Sequence, residues 1–135
     1  MFRASPIRTA WPRFIPACVF AVVIFYFTHI PGQNIPSWMN RIGNDKVLHI
    51  LAYSGFCLLL FLGVDAVFRQ RLFAAAAGIG MAALLAATDE LTQGFTGRSV
   101  SFRDFLASTS GAFIGTVTAV FLATLIREVR REPGK

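Results

Sequence analysis

Charge is what this chain has least of. Of its 135 residues, 15% are charged, seven acids against thirteen Lys and Arg, while 55% are hydrophobic. A water-soluble domain of this size would have too little polar surface, so a single membrane domain over residues 1–135 is the economical reading. Cysteine is also scarce. Cys18 and Cys57 both fall inside apolar blocks, without the spacing of a metal site, and neither a disulfide nor a zinc role is expected. Three motifs are missing: G-x-S-x-G, a phosphate loop and H-E-x-x-H, so the common signatures of nucleophilic, nucleotide and zinc chemistry are absent. The net charge of +6 comes without an interleaved aromatic and basic surface, which argues against nucleic-acid binding.

What is present is four long apolar blocks, 14–30, 47–64, 72–88 and 105–126, each of about 17 to 22 residues and so able to cross a bilayer. The predicted fold is an all-α membrane protein, a bundle of four transmembrane helices. Arg3, Arg8 and Arg13 precede the first block in the manner of a signal peptide, but no small-residue cleavage site follows, so it reads as an uncleaved anchor. Pro16 is tolerated in its first turn and Pro31-Gly32 stops it. The short polar connection from Asp65 to Arg71 implies an antiparallel hairpin.

Alternate sides carry nine and four Lys or Arg, which is expected to place both termini in the cytoplasm. The acids divide three to four, so the whole positive excess lies on the cytoplasmic side, facing anionic lipid. In the first outer loop Ile35, Trp38, Met39 and Ile42 follow helical spacing after Pro36, and a short interfacial helix anchored by Trp38 is predicted beside the alternative of an irregular loop. Small residues recur at every fourth position: Ala107, Gly111, Gly115, Ala119 and Ala123 in the last helix, Ala74, Gly78, Ala82 and Ala86 in the third. These ridges are expected to carry the contact between those two helices.

The polar residues gather at the outer ends. Asp45, Lys46, His49 and Tyr53 open the second helix, and Asp89, Glu90, Gln93, Arg98, Ser99, Ser101, Arg103 and Asp104 lie between the third and fourth. Asp45, His49 and Tyr53 form one descending stripe. At about 100° per residue, Asp89, Glu90 and Gln93 share the face of Ala82 and Ala86, and Asp104 and Ser108 that of Gly111, so three helices aim polar groups at one mouth. Bland readings exist for several: Asp45 as a cap, Ser101 with Asp104 as a capping box, Lys46 and Arg103 snorkelling to headgroups, His49 as a hydrogen-bonded interior histidine. The adjacent acids Asp89 and Glu90 demand compensation on an inward face. Arg98 and Arg103 are the expected counter-charges, with the turn from Gly94 to Ser99 folding the Arg98 guanidinium back over the acids.

Two stretches, DKVLHILAY from Asp45 and TDELTQGFTGRSVSFRDFLASTSGAFIG from Thr88, resemble the VanZ-like family of bacterial membrane proteins. The resemblance covers 45–115 and rests on Asp45-Lys46-x-x-His49 with Tyr53 one turn later, Asp89-Glu90-x-x-Gln93-x-Phe95, Gly97-Arg98 and Asp104; Ser108 stands where members often carry Asn. The family is named for a protein associated with lowered susceptibility to teicoplanin, which acts outside the cytoplasmic membrane. The resemblance therefore implies a cell-envelope setting and a contribution to glycopeptide tolerance or ordinary envelope physiology.

The leading functional expectation is a non-enzymatic pocket for an amphiphile: a lipid-linked envelope precursor, a phospholipid headgroup or a lipoglycopeptide. Lys46, Arg98 and Arg103 would hold anionic groups, and the acids amines or hydroxyls. The alternative is a hydrolase or transferase on envelope lipid, with Asp89 or Glu90 as base, His49 as acid or base and Arg98 as stabiliser. No cofactor is expected, and an ion network is preferred to a metal held by His49, Asp89, Glu90 and Asp104. A proton relay is disfavoured in a monomer because CLLLFLGV below Tyr53 carries no charge, though a homo-oligomer could build one. A purely structural role, locking the hairpins together, completes the set.

Overall fold

Four helices carry the chain, and each begins or ends where the sequence supplies a physical reason. The computed structural model describes residues 11–34, Ser37, 45–68 and 70–131. A 3₁₀ turn, Trp11–Phe14, leads into helix α1, Ile15–Thr28, with Pro16 in its first turn. α1 stops two residues earlier than the apolar run because Ile30 precedes Pro31, and a residue before proline is driven out of the α region. Helix α2 spans Asp45–Val67, α3 Arg71–Gln93 followed by a 3₁₀ turn Gly94–Thr96, and α4 Phe102–Arg131. All four, α1 together with its leading turn, are long and apolar enough to cross a membrane, and the described residues contain no strand. The interfacial helix expected around Trp38 lies outside the described residues.

The last three helices extend beyond their apolar blocks, since backbone hydrogen bonding continues through polar residues that hydropathy does not count. At about 1.5 Å per residue α4 is roughly 45 Å long, against a hydrocarbon core of about 30 Å, so it overhangs the apolar layer. At the end near Arg71, Arg127 Nη2 donates to Asp65 Oδ2 at 3.0 Å, and Arg71 donates to Thr124 and to the Ala123 carbonyl. This ties α2, α3 and α4 together opposite the polar mouth.

α2 is the hub. Its buried face runs His49, Tyr53, Phe56, Cys57, Leu60, Phe61, Gly63 and Val64, and it packs against every other helix. Tyr53, Phe56, Cys57 and Leu60 share a core with Ala82 and Ala86 of α3, Ala112 of α4 and Ala17 and Ile24 of α1. Leu51, Leu62, Leu72, Leu84, Phe113 and Phe121 point outward. An exterior this apolar suits lipid rather than water.

The small-residue ridges are buried as expected, but the closest approach is not between α3 and α4. Gly111 and Gly115 lie against α2: a Cβ at Gly111 would strike the Ile50 carbonyl, and one at Gly115 the Ser54 carbonyl. Ser54 Oγ donates to the Gly111 carbonyl at 2.9 Å across the same seam. Glycine on one side is enough to bring two backbones together, so α2 needs no matching ridge, and a search for paired ridges selects the wrong partner. α3 and α4 do meet further along, where Ala74 and Ala119 join Phe61 and Val64.

α1 is the least buried helix, with Ala17 and Ile24 its only buried residues. Its anchor at the Arg71 end is Phe14, whose ring lies 2.6 Å from where a Cβ on Gly63 would stand. Gly63→Ala is therefore expected to push the ring aside and cost about 1–3 kcal/mol as overpacking, and Phe14→Leu in the same chain to restore part of that loss. Thermal melts of the two variants in detergent read this out; no rescue by Phe14→Leu would place the strain elsewhere.

Candidate functional site

The ends of all four helices converge at one mouth, and Asp89 sits at its centre. It is 1% exposed. Thr28 Oγ1 donates to its Oδ1 at 2.6 Å and Gln93 Nε2 to its Oδ2 at 3.3 Å. His29 Nδ1 is 3.6 Å from Oδ1. That nitrogen is 2.9 Å from the Phe25 carbonyl, which can only accept. His29 Nε2 is 3.0 Å from Thr92 Oγ1, whose own hydroxyl donates to the Thr88 carbonyl at 2.7 Å. The basic side chain beside Asp89 is therefore His29, not an arginine.

On the other side of the mouth, Lys46 Nζ donates to Asp104 Oδ1 at 3.1 Å. His49 Nδ1 lies 3.0 Å from Ser108 Oγ, and both residues are buried. Tyr53, one turn deeper, is fully buried, with its hydroxyl directed at Asp89 and close to Glu90.

The connection from Gly94 to Ser101 folds back over the mouth, as the sequence suggests, but its guanidinium goes elsewhere. Gly97 supplies the turn at φ 75°, a left-handed value that disfavours any side chain. The Arg98 N–H then donates to the Gln93 carbonyl at 3.3 Å. Arg98 Nη1 donates to the Thr28 carbonyl at 2.9 Å, one of the orphan acceptors at the end of α1, and Nη2 is 3.9 Å from Asp45 Oδ1. Arg98 therefore neutralises Asp45 and caps α1. It does not lie over Asp89 and Glu90, because the free carbonyls of α1 are the nearer acceptors. Arg103 and Ser99 are exposed, and Arg103 closes no salt bridge among the described residues.

Ser101 caps α4 as expected, its Oγ accepting from the Asp104 N–H at 3.3 Å. In a capping box the carboxylate three residues on would return to the Ser101 N–H. Here Asp104 turns to Lys46, and Glu90 from α3 takes that role, its Oε2 accepting from Ser101 N at 3.0 Å. Glu90 is 4% exposed, and its other oxygen, Oε1, has no hydrogen-bond partner. Asp45 has Arg98, Asp104 has Lys46 and Asp89 lies beside His29. Among the described residues, Glu90 alone of these four acids has no salt bridge.

The structure thus gathers Asp45, Lys46, His49, Tyr53, Asp89, Glu90, Gln93, Arg98 and Asp104 and leaves Ser99 and Arg103 outside. It adds Thr28, His29 and Thr92, and it has Ser108 where helical rotation places it, on the inward face. Thr28 and His29 close an otherwise apolar block immediately before Pro31-Gly32, and two polar side chains at the end of a span were the available sign. Thr92 shares a helix with the acids and was hidden by its ordinary role of bonding back to its own backbone.

Neither a curated protein nor a solved structure matches the chain. Residues 8–124 match the family model described as VanZ/LLP1, which reaches well beyond the motif-bearing stretch to include α1 and most of α4. With that coverage, the four apolar helices and the motif residues drawn to one mouth, the chain belongs to the VanZ/LLP1 family.

Proposed function

We propose that this protein binds the headgroup of an amphiphile at the mouth of its bundle, with a cationic group, an amine in most envelope lipids and lipoglycopeptides, seated on Glu90. The mouth faces outward and both termini lie in the cytoplasm. The observation that carries the reading is Glu90 itself: a buried carboxylate with, among the described residues, no salt bridge and one oxygen unbonded. Such a group is costly unless something positive reaches it. Tyr53, whose buried hydroxyl lies against Asp89, offers a second polar contact beside it. At the rim, Lys46 and Arg98 are partly exposed and can meet a headgroup phosphate, while the apolar exterior takes the tail. A contribution to glycopeptide tolerance follows from that reading when the amphiphile is a lipoglycopeptide or its lipid-linked target.

Protein reconstituted in nanodiscs is expected to bind phosphatidylethanolamine and an amine-bearing lipoglycopeptide saturably, and phosphatidylglycerol much more weakly. Glu90→Gln, which keeps the shape and removes the charge, is expected to weaken amine binding by about tenfold or more. Equal binding of all headgroups, or no effect of Glu90→Gln, contradicts the assignment.

One observation favours an enzyme as the second reading: the contact of His49 with Ser108 is a hydroxyl and imidazole pair. Ser108 is 1% exposed, however, beneath the helix seam, where a substrate carbonyl has no approach. Turnover of labelled envelope lipid that is lost in Ser108→Ala would reverse the preference.

A further inference from the structure

At the end of the bundle opposite the mouth, a cavity of about 290 Å³ opens between α3 and α4, lined by Arg71, Thr124, Arg127, Glu128 and Arg131. That is close to the lower limit of about 300 Å³ for small-ligand pockets. Arg71 is committed to the protein, donating to Thr124 and to the Ala123 carbonyl, with Nε 4.0 Å from Asp65 Oδ1. Arg127 gives Nη2 to Asp65 Oδ2 at 3.0 Å and stays 57% exposed, which leaves the rest of its fork for a ligand. Arg131, one turn further along the same face of α4, has no salt bridge among the described residues. Asp65 thus serves two guanidiniums at once. Three arginines against the carboxylates of Asp65 and Glu128 leave one positive charge uncompensated, and a single anion balances it.

The level of the cavity points to the kind of anion. It starts at Thr124, where the apolar block 105–126 gives way to the basic run that ends at Arg131. The sequence neighbours of its walls, Leu72, Phe73, Leu125 and Ile126, are exposed apolar side chains. An anion held here has hydrocarbon beside it, as the phosphate of a lipid does. Isolated arginines at a helix end merely snorkel to headgroups, whereas a walled cavity between two helices gives a phosphate one fixed place. We propose that this cavity binds the phosphate of an anionic glycerophospholipid in the leaflet opposite the mouth, with Arg127 and Arg131 on the phosphodiester oxygens and Glu128 accepting from a headgroup hydroxyl. Phosphatidylglycerol carries the matching single charge and the hydroxyl donors. Phosphatidylethanolamine brings an ammonium that cancels its phosphate and leaves the arginines uncompensated. The site shares no residue with the mouth, so it stands or falls independently of an amine seated on Glu90.

Native mass spectrometry of the full-length protein in detergent tests this, with short-chain phosphatidylglycerol, short-chain phosphatidylethanolamine and glycerol phosphate as separate probes. The weaker phosphatidylglycerol binding expected of the wild type belongs to this site. It should saturate at one per chain, persist in Glu90→Gln and weaken by about tenfold in Arg131→Gln. Lipid-free Arg131→Gln should melt as the wild type does, since Arg131 is exposed. In the Glu90→Gln background, where the amine site is silent, phosphatidylethanolamine should bind less than phosphatidylglycerol. Arg103→Gln, at the other end of α4, removes the same charge and should leave phosphatidylglycerol binding unchanged. Equal losses in Arg131→Gln and Arg103→Gln would reduce the effect to net charge and overturn the proposal. Glycerol phosphate binding as tightly as the lipid would assign the cavity to a soluble phosphate ester and overturn it too.

Discussion

Replacing Gly115 by leucine is expected to abolish recovery of folded protein, and replacing it by alanine to cost at least the upper part of the range of about 1–3 kcal/mol usual for overpacking. The obstacle at Gly115 is the Ser54 carbonyl of α2, and at Gly111 the Ile50 carbonyl. A side-chain tip can rotate away from a new methyl group, but a backbone carbonyl committed to its own helix cannot. The helices must separate, and separation also loses the Ser54 to Gly111 hydrogen bond. Gly80 is the control, since a Cβ there meets nothing within 4 Å. Gly80→Ala should be neutral or mildly stabilising, by up to about 1 kcal/mol of helix propensity. Size-exclusion profiles after graded heating compare the three variants. Similar profiles for Gly115→Ala and Gly80→Ala would mean that α2 and α4 are not in backbone contact.

Asp89→Leu carries the second large effect. Removing this carboxylate takes an acceptor from the Thr28 hydroxyl and the Gln93 amide and leaves His29 beside an apolar side chain. Each buried polar group left short of its partner costs about 1–3 kcal/mol. A protein with stability in the usual range of about 5–15 kcal/mol would lose a large share of it. Asp89→Asn is expected to lose much less, because the amide oxygen still accepts from Thr28. Introducing Thr28→Val into Asp89→Leu should cost less than the same change in the wild type, since the hydroxyl has already lost Asp89 and keeps only the backbone carbonyls of its own helix. Full additivity of the two in melting experiments would contradict the contact between α1 and α3.

How much of this was legible depends on which physical rule governed each element. Span number and position follow from bilayer thickness, which apolar run length reads directly, and the inward direction of Asp89, Glu90, Gln93, Asp104 and Ser108 follows from helical rotation. The ridges of glycine and alanine were legible as buried but not as to partner, because close approach needs small residues on one helix only. The pairing of charges was not legible. Arg98 was sent to α1 by free carbonyls at a helix end, a feature that belongs to tertiary placement rather than to residue pattern. The basic neighbour of Asp89 is His29, which a periodicity reading passes over as the tail of an apolar span.

The contacts that build the mouth share one property in sequence. Thr28 to Asp89, His29 to Thr92, Lys46 to Asp104 and His49 to Ser108 are separated by 61, 63, 58 and 59 residues. During synthesis, therefore, Thr28 and His29 leave the ribosome long before Asp89 exists, and His49 waits for the final segment to emerge. Asp89 meets Thr28 and His29 once the third span is made, but Lys46 and His49 pass through the insertion machinery before Asp104 and Ser108 exist, and that side of the cluster closes only when the last span arrives. A product truncated before Phe102 would reach the membrane without the Asp104 and Ser108 partners, which makes it a natural substrate for quality-control proteolysis.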